Sequence, residues 1–176
     1  MAGTVIDFRK STVKNADTLF FLEVPTDLAT PSTKAFHMAF LNMEANSIDT
    51  GVETETTADV TLNTQSTDVK SYSPTQPFSG NFLSEDPVCK YLQHLFDTRA
   101  VGGAAHCYML EVRKWEKGGN VAKKRDVSIS ISNITNEAGD TRKIEGTYGW
   151  ASDDIEGTAT IDDSTGIATF TAKGSE

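Results

Sequence analysis

The sequence predicts a mainly β protein, an antiparallel sandwich or barrel-like sheet assembly with one flanking α-helix and a long extended loop. Three observations carry that prediction. After His106 apolar residues recur with period two in one segment after another, as in "DVSISISNI", where Val127, Ile129 and Ile131 share a strand face. One stretch alone carries a helical stripe, formed by Val88, Tyr91, Leu92, Leu95 and Phe96. Between residues 44 and 80 the chain is rich in Thr, Ser, Asp and Asn and poor in large apolar side chains, too long for an ordinary connection.

In chain order, "DTLFFLEV" (Asp17 to Val24) is a short apolar run stopped by Pro25 and reads as a strand. The turn cluster "TPSTK" follows, then "AFHMAFLNM" (Ala35 to Met43), whose shortness and flanking turns favour a strand over a helix. Within the polar stretch, Ala58, Val60 and Leu62 alternate with Asp59 and Thr61, a half-buried strand that enters a long extended arm returning at Pro74 to Gly80. The helix is expected over about 86–99, with Asp86 as N-cap, Pro87 at its first position, Arg99 at its negative end and Gly102-Gly103 as the stop. "HCYMLEVRKW" and "DVSISISNI" form a hairpin around "KGGN". "RKIEGTYGW", "IEGTATID" and, after the turn "DDSTG", "IATFTA" complete roughly seven or eight strands. One domain spanning 1–176 is expected, with the long inter-strand loop at about 44–80.

Composition narrows the function classes. With 38% hydrophobic residues and a mean hydropathy of -0.35, the chain holds no apolar run long enough for a membrane span. Its first residues, "MAGTVIDFRKSTVKNADTLFF", lack the basic region, apolar stretch and small-residue cleavage site of a leader, so folding in a reducing cytoplasm is expected. Cys89 and Cys107 read as small buried hydrophobes and make neither a disulfide scaffold nor a zinc site. The net charge is -9, and the acids are segregated. Glu44, Asp49, Glu53, Glu55, Asp59 and Asp68 share a segment without bases, as do Glu145, Asp153, Asp154, Glu156, Asp162 and Asp163. The bases gather at Arg113, Lys114, Lys117, Lys123, Lys124 and Arg125 around the "KGGN" turn, read as a basic hairpin tip. So few and localised bases do not make a protein that grips duplex nucleic acid by counterion release.

No constellation for chemistry is evident. His37, His94 and His106 fall in no HExxH or CxxC context, and no P-loop or GxSxG is present. His106 and Cys107 are adjacent on a strand and therefore diverge. The Asp pairs lack the ligand spacing of a calcium loop and read as solvated turns. No catalytic residue, metal or cofactor is expected, which leaves a structural role or a binding role. For the latter, Trp115, Tyr148 and Trp150 could form a stacking platform for carbohydrate or a protein surface. A barrel holding an apolar ligand, or an esterase-like enzyme built on one, has no positive support.

One stretch carries a resemblance. "DVKSYSPTQPFSGNFLSEDPVCKYLQHLF", from Asp68 to Phe96, resembles the segment around the helix in the major tail, or tail tube, proteins of long-tailed phages of Gram-positive hosts. There an extended loop passes through a "GYSPS"-like turn into a short strand, a "DDPV"-like cap and one helix. The matching residues are Tyr72-Ser73-Pro74, Phe78 to Phe82, and Asp86-Pro87-Val88; the turn here lacks the leading glycine. The order of the "VSISISNI", "KIEGTYGW" and "GTATIDDSTGIATFTA" segments is also similar to that family.

The resemblance implies a tail-tube fold of packed β-sheets flanked by a helix, in a structural virion protein of the tail that is made in the host cytoplasm and is not an enzyme. Copies would form stacked hexameric rings, the long loop reaching a neighbouring copy with Val60, Leu62, Val69 and Tyr72 covered there. The implied partners are other copies of the chain, the tape measure, tail terminator and baseplate or distal tail proteins, with transient, non-specific passage of DNA and no membrane insertion. An acidic wall gives a polyanion no counterion-release affinity, so Glu44, Asp49, Glu53, Glu55 and Asp59 are expected to line the channel. Lys117, Lys123, Lys124 and Arg125 would meet an acidic patch on the next ring.

Overall fold

The computed structural model describes residues 17–39, 43–45, 47–57, 66–117, 120–135 and 138–174. Among them are eleven strands and one α-helix. The strands are β1 (Thr18–Pro25), β2 (Lys34–Met38), β3 (Met43–Ala45), β4 (Val52–Thr57), β5 (Ser66–Tyr72) and β6 (Thr75–Asn81), then β7 (His106–Arg113), β8 (Val121–Ile134), β9 (Lys143–Trp150), β10 (Ile155–Ile161) and β11 (Ala168–Ala172). The helix, α1 (Pro87–Asp97), lies between β6 and β7.

Nine strands make one antiparallel sheet in the order β10-β11-β2-β1-β7-β8-β9-β6-β3. β10 also pairs with β8, so the first six strands of that order close on themselves as a barrel. The long β8 makes this possible by serving two partners in turn along one edge, with β7 on the other. Residues 121–124 pair with β10, and residues 127–134 pair with β9. Beyond β8, the strands β9, β6 and β3 extend the sheet as an open wing. The barrel seam is uneven, because β11 and β2 meet only at Ala168 and Phe36.

Period-two alternation distributes apolar side chains between two cores. Phe21, Phe36, Leu110, Val112, Ala122, Ala159 and Ala168 fill the barrel. Leu22, Val24, Cys107, Met109, Val127, Ile129, Ile144 and Tyr148 face the other way and meet Val88, Leu92 and Leu95 of α1. β1 and β7 thus feed both cores, one from each face, as a strand buried on both sides must. Each such buried large side chain stabilises the fold by about 1.5–3 kcal/mol. Phe78 of β6 stacks on Tyr148 with ring centroids 4.4 Å apart. Gly146 leaves room for that ring, since a Cβ there would lie 2.6 Å from Phe78 Cζ.

The helix begins as expected. Asp86 accepts hydrogen bonds from the amides of Val88 (3.2 Å) and Cys89 (3.3 Å), and Pro87 occupies the first position. Its end is earlier than expected. Thr98 caps it, donating its hydroxyl to the His94 carbonyl at 2.7 Å, and Arg99 turns the chain with φ 51°. Gly102, with φ 58°, opens a 3-10 turn over Gly102–Ala105 instead of stopping the helix.

Two further expectations change. The run from Ala35 to Met43 is not one strand: β2 ends at Met38, where the Ala39 amide bonds the Phe20 carbonyl, and β3 begins at Met43. The extended arm is a two-stranded hairpin, β4 with β5, that joins no other strand among the described residues. The strand expected around Ala58 to Leu62 lies outside the described residues.

Candidate functional site

The hairpin of β4 and β5 is the most exposed element. Every residue of β4 is exposed, so its residues, Val-Glu-Thr-Glu-Thr-Thr, have no core face at all. Cross-strand polar contacts hold it: Ser71 donates to Glu53 at 3.1 Å, and the Thr56 and Thr67 hydroxyls lie 3.3 Å apart. Its base is tied to the sheet by the bridge between Asp49 and Thr75 and by the Ser73 amide on the Gly51 carbonyl. Gly51 has φ 55°, and a Cβ there would fall 2.3 Å from the Ser73 carbonyl oxygen, so only glycine fits. An isolated hairpin is marginally stable in water. This one nevertheless exposes Val52, Val69 and Tyr72 at 45%, 53% and 63%.

A second surface is the helix-free face of the open wing. Register places Ser79, Glu145 and Asn133 in one row across β6, β9 and β8. The next rows are Pro77, Thr147 and Ser130, then Thr75, Gly149 and Ser128. Ser79 and Asn133 both donate to Glu145, each at 3.3 Å. The face is therefore small in its side chains and hydroxyl-rich in these rows, and Lys143 stands opposite Asn81 in the row beyond them.

The positions singled out from sequence divide unevenly between these surfaces. Val69 and Tyr72 are exposed on the hairpin, as are Glu53 and Glu55, while Asp49 sits at its base. Val60, Leu62 and Asp59 lie outside the described residues, as does the side chain of Glu44. Lys117 is exposed in the β7–β8 turn. The remainder of the basic tip is corrected. Lys123, Lys124 and Arg125 are not at a tip but within β8, each with an acid of the same chain. Arg125 is 1% exposed. Its Nη2 donates to Glu111 Oε2 at 2.6 Å, its Nε lies 2.7 Å from Asp154 Oδ1, and its guanidinium sits 3.7 Å from the Trp150 ring centroid. Glu111 Oε1 takes Arg113 Nε at 2.6 Å, Arg113 reaches Glu116 at 2.9 Å, and Lys123 reaches Asp154 at 3.2 Å. Lys124 on the opposite face lies 3.9 Å from the Tyr108 ring centroid and 3.9 Å from Glu23. Arg113, Lys123, Lys124 and Arg125 are thus engaged with acids of the chain's own barrel, while Lys114 and Lys117 stay exposed.

The aromatic platform is likewise not assembled. Tyr148 is fully buried, one face of Trp150 is taken by Arg125, and only Trp115 is substantially exposed. Nor do the reactive side chains converge. Burial pushes the thiols of Cys89 and Cys107 up to about 12, which leaves both neutral and unreactive at pH 7. His106 Nδ1 is 2.9 Å from Asp126 Oδ2 on the strand face opposite Cys107. Among the described residues no group of His, Cys, Asp and Glu is placed to hold a metal ion, and no helix is long and apolar enough to cross a membrane.

No protein-family model matches the chain, and no curated protein matches it. Among solved structures, the chain is similar in fold to a protein of the "tail of empty GTA particle", determined with helical refinement in C6 symmetry. The two share 13% sequence identity at a TM-score of 0.52, over 82% of this chain and 98% of that one. What is shared at this identity is the β-rich fold.

Proposed function

We propose that this chain is a structural, non-enzymatic subunit of a phage-type tail tube, which self-assembles into stacked, hexameric rings around a channel for DNA. The observation that carries the reading is the fold shared with a chain of an assembled, six-fold tail across nearly all of that chain's length. The reading explains the exposed hairpin. Val52, Val69 and Tyr72 stay about half exposed among the described residues, and on this reading a neighbouring copy covers the remainder. The whole chain acts as one tube-building unit on this reading, found in the virion after synthesis in the host cytoplasm. Its partners at the tube ends and inside the tube are the tail terminator, distal tail and tape measure proteins.

The channel wall on this reading is the helix-free face of β8, β9 and β6, with Glu145 at its centre and the acids Asp49, Glu53 and Glu55 at its margin. Small hydroxyl side chains and carboxylates give passing DNA neither a groove contact nor a counterion to release. Ring-to-ring contact through the exposed Lys117 of the β7–β8 turn belongs to the same proposal. The test is the double variant Val69→Asp, Tyr72→Asp. Both side chains are exposed, so the monomer should keep the circular dichroism spectrum of the parent while sedimenting as a monomer. Assembly equal to the parent's would overturn the role given to the hairpin.

A further inference from the structure

We infer that neighbouring copies meet head to tail along α1, the corner Arg99–Val101 of one copy seating in a cleft at the opposite end of the helix in the next. The inference rests on the self-assembly proposed above and names a contact within it. The cleft, about 550 Å³, lies between β2, the approach to α1 and the β10–β11 turn. Its walls include Met38, Leu83, Glu85, Pro87 and Gly166. His37 lines the cleft with its Nε2 shielded from solvent.

The far end of α1 offers the complement. Val101 is 81% exposed, the most exposed large apolar side chain among the described residues, and Phe96 beside it is 50% exposed. Arg99 holds the corner in the left-handed region at φ 51°, where glycine or asparagine would be less strained. The left-handed turn belongs to the C-terminal stop of α1, where the Ala100 amide bonds the Leu95 carbonyl at 3.0 Å. Arg99 is exposed and makes no ion pair among the described residues. Glu85 is 91% exposed on the cleft, and its one ionic partner among the described residues is the surface Lys90 at 3.3 Å. An apolar knob flanked by a free cation thus faces, at the opposite pole, an apolar cleft flanked by a nearly free anion. Two antiparallel copies would satisfy both ends at once across a two-fold axis and stop at a doubly linked dimer, whereas the six-fold tube proposed above requires a heterologous contact, which closes into a ring or propagates as a filament.

Disulfide trapping tests the contact under assembly conditions. Ser84, exposed on the cleft, and Val101 are replaced together by cysteine; Cys89 and Cys107 are buried and give no background. Mild oxidation of Ser84→Cys, Val101→Cys should yield a ladder of covalent oligomers, and neither single variant should. Rings or tubes that form without a ladder would overturn the contact while leaving the tube reading intact. No assembly at any concentration would overturn both. A cross-link from Phe8→Cys to Ser84→Cys in place of the ladder would give the cleft to the chain's own N-terminal segment and overturn the contact. Charge reversal adds a readout that simple misfolding cannot mimic. Glu85→Lys or Arg99→Glu alone should raise the assembly concentration roughly tenfold, and the two together should restore it. A double variant as impaired as the singles would count against the contact.

Discussion

Removing Glu111 should cost more stability than removing Arg125, although the two are partners in one buried ion pair. Arg125 has a fully buried side chain, and Glu111 is 7% exposed. With Glu111→Leu, the Arg125 guanidinium loses its 2.6 Å acceptor and stays buried, with only the offset Asp154 carboxylate and the Trp150 ring as compensation. A buried charge stripped of its partner costs about 3–5 kcal/mol, and the remaining contacts place this case at the lower end, about 3 kcal/mol. With Arg125→Met, Glu111 keeps Arg113 at 2.6 Å and Asp154 keeps Lys123 at 3.2 Å. What is lost is mainly the desolvated stacking on Trp150, about 1–2 kcal/mol. For a chain of this size each kcal/mol corresponds to about 2–4 °C in Tm. Scanning calorimetry on a non-assembling background should therefore show a fall of about 6–12 °C for Glu111→Leu and about 2–8 °C for Arg125→Met. The double variant should be no worse than Glu111→Leu, because it leaves no orphaned charge. Equal losses in the two single variants, or a larger loss for Arg125→Met, would refute the reasoning.

The remaining predictions concern single features. Asp86→Ala removes the acceptor of two helix amides and should lower stability by about 1 kcal/mol, read from chemical denaturation, with Asp86→Asn retaining most of it. Hydrogen bonds from the Ser164 hydroxyl and amide and from Thr165 hold the Asp162 carboxyl at about 2, below its usual range. Folding thus favours its charged form, and that contribution is complete above about pH 4 and disappears as pH falls towards 2. Carbon-detected NMR titration should find a midpoint near 2 that rises in Ser164→Ala; an unchanged midpoint would refute the assignment. Burial raises both thiols to about 12, so a thiol reagent at pH 8 should leave the native protein unmodified and label two groups on denaturation. Prompt labelling of the native protein would contradict the burial of Cys89 or Cys107.

The parts legible in the sequence are those where one local rule suffices. Asp86-Pro87 with the stripe Val88 to Leu95 specifies a capped helix, and strict alternation specifies β8 to β11. The hairpin of β4 was hidden because "VETETT" has no apolar face to count; only its β-branched residues signal a strand. The helix stop was misplaced because Thr98 and Arg99 end it through a hydroxyl cap and a left-handed turn that composition does not advertise. Barrel closure was invisible, since the pairing of β10 with β8 skips β9 and leaves no periodic trace. The buried Arg125 did carry a signal. Continuing the alternation of Ile129 and Val127 backwards places Arg125 on the same buried face, but its charge argued for solvent. Two acids, Glu111 and Asp154, reverse that argument, and neither neighbours it in sequence.

The central claim is that the chain builds a tube. Negative-stain electron microscopy of the purified protein across a concentration series, with light scattering on the same samples, tests it most directly. The account predicts rings or hollow tubes that grow in number and length with concentration. A monodisperse monomer at every concentration, with scattering that never rises, would contradict it.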